Sequence, residues 1–127
     1  MRTNDLKELI QAQLKTVTPN VFYEVGQTKK MYPHIIFEFS SIDLGDFNRQ
    51  DYILDVDVWD KSEDTTAVED LCDSIEELFN NANLPQETIL PTFFRIDRKR
   101  IPDEDIQIRH RLIRFQIQNY NREGETR

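Results

Sequence analysis

The segment Asp51-Tyr52-Ile53-Leu54-Asp55-Val56-Asp57-Val58-Trp59-Asp60 constrains the fold more than any other part of the chain. Side chains alternate along a strand, so Tyr52, Leu54, Val56 and Val58 share one face, and Ile53, Asp55, Asp57 and Trp59 share the other. One face is apolar throughout and the other carries two carboxylates. That pattern predicts a long, half-buried strand of an antiparallel sheet, packed on one side and wet on the other. Something must cover the apolar face, and two amphipathic segments are available to do it.

In the first, Leu6, Leu9, Ile10, Leu14 and Val17 fall on one helical stripe, with Thr3 or Asn4 placed to cap the start and Pro19 to end it. In the second, Val68, Leu71, Cys72, Ile75, Leu78, Phe79 and Ala82 form the stripe. Thr66 and Glu69 have the spacing of a capping box, and Asn80, Asn81 and Pro85 mark the end. Glu69, Asp70, Asp73, Glu76 and Glu77 fall off this stripe and are expected to face outward.

Shorter β signals occupy residues 21–25, ending at Gly26, then 34–39 and 92–98. A turn over 99–105 contains Pro102 and leads to a long strand over 106–120. Apolar residues of that last strand move from even positions (Ile106, Ile108, Leu112) to odd ones (Ile113, Phe115, Ile117). The change of phase predicts a bulge or bend between Leu112 and Ile113. The order α-β-β-β-α-β-β describes an α+β domain over residues 1–120, with two helices on one face of a mainly antiparallel sheet and a flexible tail over 121–127. The 127-residue length fits one such domain.

Charge and composition narrow the function classes. Sixteen Lys and Arg stand against 24 Asp and Glu, a net charge of -8, which argues against a stand-alone nucleic-acid binder. A single Cys leaves no internal disulfide and no Cys-cluster zinc site, and three Gly leave no Gly-rich phosphate loop. No apolar run approaches the roughly 20 residues that span a bilayer, so no membrane role is expected. The start, MRTNDLKELI, lacks a signal-peptide apolar region, which predicts a soluble chain made in the cytoplasm.

The candidate chemistry is thin. Asp55 and Asp57 project to one face at i, i+2 and could hold a divalent cation, but no third acid or nearby Lys completes a nuclease-like set. They read as acids of the wet strand face. His34 and His110 have no spacing that brings either to Cys72, which sits in the apolar stripe of the second helix. No nucleophile, base and orienting group come together, so no catalytic residue, metal ligand or cofactor site is assigned and the chain reads as a non-enzyme.

Interaction features are richer. Residues 1–89 carry a net charge of -11, whereas 90–127 carry +3. Arg95, Arg98, Lys99 and Arg100 form a basic run, with Arg109, Arg111 and Arg114 on the adjacent strand. These bases and the acids Glu69, Asp70, Asp73, Glu76 and Glu77 exceed what one short domain is expected to neutralise. Some are therefore expected to meet across a subunit boundary as a head-to-tail contact. Trp59 and Phe47 are the candidate apolar anchors of that contact.

The stretches Phe22-Tyr23-Glu24-Val25, Tyr32-Pro33-His34-Ile35-Ile36-Phe37-Glu38 and Asp51–Asp60, followed by a helix in the style of V-x-x-L-x-x-x-I, resemble the tail-terminator (tail-completion) proteins of tailed bacteriophages and prophages. The resemblance spans residues 3–82 and implies a virion protein at the head–tail junction, made in the cytoplasm of the bacterial host. Such a protein forms a hexameric ring on the tail tube, ends tube polymerisation and offers a docking face to head-connector proteins. It implies self and the major tail-tube protein as partners, with DNA passing through the ring without specific binding. The alternative from another class is a small acidic adaptor or immunity-type binding module that uses the acidic helix as its binding face.

Overall fold

A computed structural model describes residues 2–25, 31–42 and 49–121. In chain order the elements are α1 (Arg2–Leu14), β1 (Val21–Tyr23), β2 (His34–Ile42), β3 (Arg49–Lys61), α2 (Thr66–Phe79), β4 (Ala82–Asn83), β5 (Ile89–Ile101) and β6 (Ile108–Asn121). The sheet runs β1-β2-β3-β6-β5-β4, antiparallel except where β1 lies parallel to β2. The expected α+β architecture holds, with the two-residue β4 added after α2. No helix among the described residues is long and apolar enough to cross a membrane.

The central strand behaves as its alternation predicts. Leu54, Val56 and Val58 are fully buried, and in register they face Phe39, Phe37 and Ile35 of β2. On the β6 side, Leu54 and Val56 lie opposite Phe115 and Ile113. Leu6, Ile10 and Leu14 of α1 and Val68, Cys72, Ile75 and Phe79 of α2 close on that same face as one core. Phe79 joins helix to sheet through ring contacts of 4.8 Å to Phe93 and 5.5 Å to Phe115. Fully burying each such side chain contributes roughly 1.5–3 kcal/mol, so α2 is held mainly by its stripe and not by its caps.

The helix ends differ from expectation. α1 begins at Arg2, which puts Thr3 and Asn4 inside the first turn, and it stops at Leu14. Val17 lies beyond that end in a turn closed by its amide on the Leu14 carbonyl, and it still packs against the core. The capping box of α2 does not form. Thr65 is the N-cap without a side-chain bond, and Asp64 Oδ1 accepts the Thr66 amide instead. Glu69 is drawn away by arginines. At the far end the chain leaves through Asn80 and Asn81, the latter at φ 52°, a left-handed conformation that asparagine tolerates.

The strand over 106–120 is corrected in two respects. β6 starts at Ile108 and pairs with β3 without a slip from Ile108 to Tyr120, so nothing irregular lies between Leu112 and Ile113. The irregularity lies in β5, where Ile96 is the extra residue between Arg95, opposite Phe115, and Asp97, opposite Arg114. Leu112 is apolar because it occupies the uncovered sheet face yet is only 8% exposed there. Asn121 ends β6 and so belongs to the sheet, while 122–127 lie outside the described residues, as do Gly26 and Phe47.

Candidate assembly surfaces

The bulge at Ile96 decides where the basic run points. Before it, Ile89, Phe93 and Arg95 lie on the helix-covered face; beyond it, that face takes Arg98 and Arg100. Arg98 therefore lands beside α2. Its guanidinium donates to Asp73 Oδ1 at 2.8 Å, to Glu69 Oε1 at 3.0 Å and also to Glu76 Oε2. Arg111 Nε reaches the same Glu69 oxygen at 3.1 Å, and Arg95 pairs with Glu76.

The Arg98 side chain is only 18% exposed. Burial opposes its charge, but the bonds to Asp73, Glu76 and Glu69 outweigh that and hold it ionised above its ordinary range. Burial also works against the Glu69 carboxylate. The Arg98 hydrogen bond and the charge and hydrogen bond of Arg111 reverse the balance and hold its pKa below the ordinary value.

Five of the expected interface residues thus meet within one chain: Glu69, Asp73, Glu76, Arg95 and Arg98. Glu69 and Glu76 face β5 and are half-buried, not outward as their place on the helix suggests. Asp70, Glu77, Lys99 and Arg100 are exposed and have no ion pair among the described residues. Arg111, counted with Arg109 and Arg114 among the bases of the adjacent strand, joins this cluster. Its direct register with Arg100 and its place opposite Val58 on the helix face are set by the sheet.

The uncovered sheet face carries a second arrangement. Trp59 lies between two histidine rings, with centroids 5.0 Å from His34 and 4.0 Å from His110, both stacked. Tyr32 extends the row at 5.2 Å from His34. His34 Nδ1 donates to the Met31 carbonyl at 2.9 Å, and His110 Nε2 donates to Asp57 Oδ1 at 2.7 Å. Neither histidine approaches Cys72, whose thiol is buried and pushed up to about 12 by burial.

Asp55 and Asp57 do lie on this wet face, and cross-strand bases engage both. Arg114, directly opposite Asp55, donates through Nε at 2.8 Å, while His110 takes Asp57. Further along β3, Asp51 accepts two bonds of 2.9 Å from Arg49 and one of 3.1 Å from Gln116. Among the described residues no group of three or more His, Cys, Asp and Glu is arranged to hold a metal ion.

No family model and no curated protein sequence matches the chain. Among solved structures, its fold is similar to that of a chain from the virion of a native gene transfer agent particle. The TM-score is 0.68, the match covers 87% of this chain and 91% of that one, and the sequence identity is 10%. The likeness is one of fold.

Proposed function

We propose that this chain is a non-enzymatic structural component of a phage-like particle, located at the head–tail junction of the virion. It forms a ring, a hexamer by the resemblance, that caps the tail tube, ends its polymerisation and presents a docking face to the head-connector proteins. The observation that carries the reading is the shared fold with a gene transfer agent virion chain over nearly the full length of both. The strand and helix motifs of residues 3–82 point the same way independently of that comparison. A net charge of -8 suits a ring through which DNA passes without being held. The acidic-adaptor alternative loses much of its binding face, because Glu69, Asp73 and Glu76 are occupied by arginines of the same chain.

Co-expression with the tail-tube subunit of the same particle tests the role. Electron microscopy should show tubes of limited length with a ring at one end, against long tubes when the chain is left out. Tubes of unchanged length without end density would refute the capping role.

A further inference from the structure

We propose that the groove between α2 and the turn after α1 receives Arg100 from a second copy of this chain, so that each subunit carries both halves of one head-to-tail contact. The proposal deepens the ring reading and rests on it. On the helix side of the sheet α2 and the turn after α1 leave a groove of about 690 Å³, walled by Val17, Leu71 and Leu78 and edged by the exposed acids Asp70 and Glu77. Its lining includes Asp60, which is 7% exposed.

The Asp60 carboxylate has no hydrogen bond or ion pair among the described residues. Arg109, its direct partner in register, is turned instead to the carbonyls of Ser62 at 3.3 Å and Glu63 at 2.7 Å. The Asp60 carboxylate opens on the groove, so a cation entering there gains an acid that no group of the same copy neutralises.

The complementary group is on the other flank of α2. Arg100 is exposed and, among the described side chains, is the arginine that has neither an ion pair nor a hydrogen bond. Arg98 and Arg111, its neighbours on the same sheet face, take Glu69, Asp73 and Glu76 of α2. Lys99, also exposed, adds a second positive charge at the same sheet edge.

Within one copy α2 stands between the two groups. One flank lines the groove with Asp70, Leu71, Glu77 and Leu78; the other holds Glu69, Asp73 and Glu76 against Arg98. The unsatisfied acid and base of a single copy are thus separated, and two copies can satisfy each other. Such a contact is heterologous, and its repetition closes a ring when the rotation per subunit allows it. Arginine suits the site because its weakly hydrated fork can pair with a buried carboxylate while its stem lies along apolar walls.

Sedimentation of the full chain, with circular dichroism to confirm folding, tests this. Asp60→Asn keeps the side-chain size and should weaken self-association at least about thirtyfold, the effect of removing one member of a buried charged pair. Lys99→Glu with Arg100→Glu should abolish association, as should Asp70→Lys with Glu77→Lys. The chain carrying all four reversals should recover it, a result that an occupant from the same copy or a foreign partner cannot give. Wild-type association in the reversed variants, or loss without recovery in the fourfold variant, overturns the groove contact while rings on tube ends keep the capping role intact. A wild-type chain that stays monomeric at millimolar concentration and on tube ends overturns both.

Discussion

Arg98 reaches Glu69 at 3.0 Å because one residue, Ile96, is left over in the pairing of β5 with β6. In a regular strand Phe93 and Arg98 would point to opposite faces. The bulge returns both to the helix-covered face, so that the apolar start of β5 packs under α2 and its basic end meets the acids along α2. One inserted residue links core packing to charge pairing.

That linkage makes Arg98 the most stabilising member of the basic run. Its side chain is 18% exposed and bonds to three carboxylates, so Arg98→Ala leaves three acids facing each other. Denaturant unfolding should show a loss of roughly 2–3 kcal/mol, the scale of hydrogen bonds to charged groups in a partly buried network. Arg95→Ala removes a guanidinium that is 41% exposed, and should cost no more than about 0.5 kcal/mol. Equal losses for the two would show that the bulge-directed network has no special place.

Acid should weaken this network in a defined window. The Glu69 pKa is lowered in the folded chain from an ordinary value of 4.5. A lowered folded pKa contributes stability that is fully present above the unfolded value and is lost as pH falls through the folded one. The melting temperature should therefore drop as pH falls below about 4.5, and Glu69→Gln should flatten part of that slope while lowering stability at neutral pH. A variant that keeps the full wild-type slope would show that other carboxylates set the acid limit.

The architecture was legible wherever hydrophobic period and burial agree. Tyr52, Leu54, Val56 and Val58 on one side and the α2 stripe on the other specify the sheet face and its cover almost by themselves. The bulge was misplaced for a physical reason. A change of apolar phase marks a bulge only if the opposite face excludes apolar residues, and here Leu112 is accommodated on the uncovered face. The bulged residue, Ile96, is a single apolar side chain between Arg95 and Asp97 and is 46% exposed, so it leaves no periodic signature. Charge counting located the acids and bases but not their partners, because Arg98 reaches Asp73 across 25 residues of sequence. Asp60 reads as one more acid at the end of a strand, and only the helix layer shows that it lines a groove with no ion pair of its own.

Cys72 is expected to be inert. Its thiol is buried in the α2 stripe, and burial pushes its pKa up to about 12, so almost no thiolate exists near neutral pH. A disulfide-exchange reagent at pH 8 should leave the folded chain unlabelled and modify one thiol per chain in denaturant. Rapid stoichiometric labelling of the folded chain would mean that α2 opens far more readily than its packing implies.

Trp59 is the single tryptophan and so reports on the uncovered sheet face directly. Its ring lies between His34 and His110, and His110 is fixed in turn by its 2.7 Å bond to Asp57. His110→Ala removes the closer stacking partner at 4.0 Å and leaves one indole face open to water. The emission maximum should move to longer wavelength, and stability should fall by roughly 0.5–1.5 kcal/mol, the range for an aromatic pair. Asp57→Asn keeps an oxygen that can accept the Nε2 proton, so it should preserve the stack and shift the emission far less. The two variants therefore separate the stacking contact from the charge that positions it. Equal red shifts would mean that the Asp57 charge, and not ring contact, holds His110 against the indole.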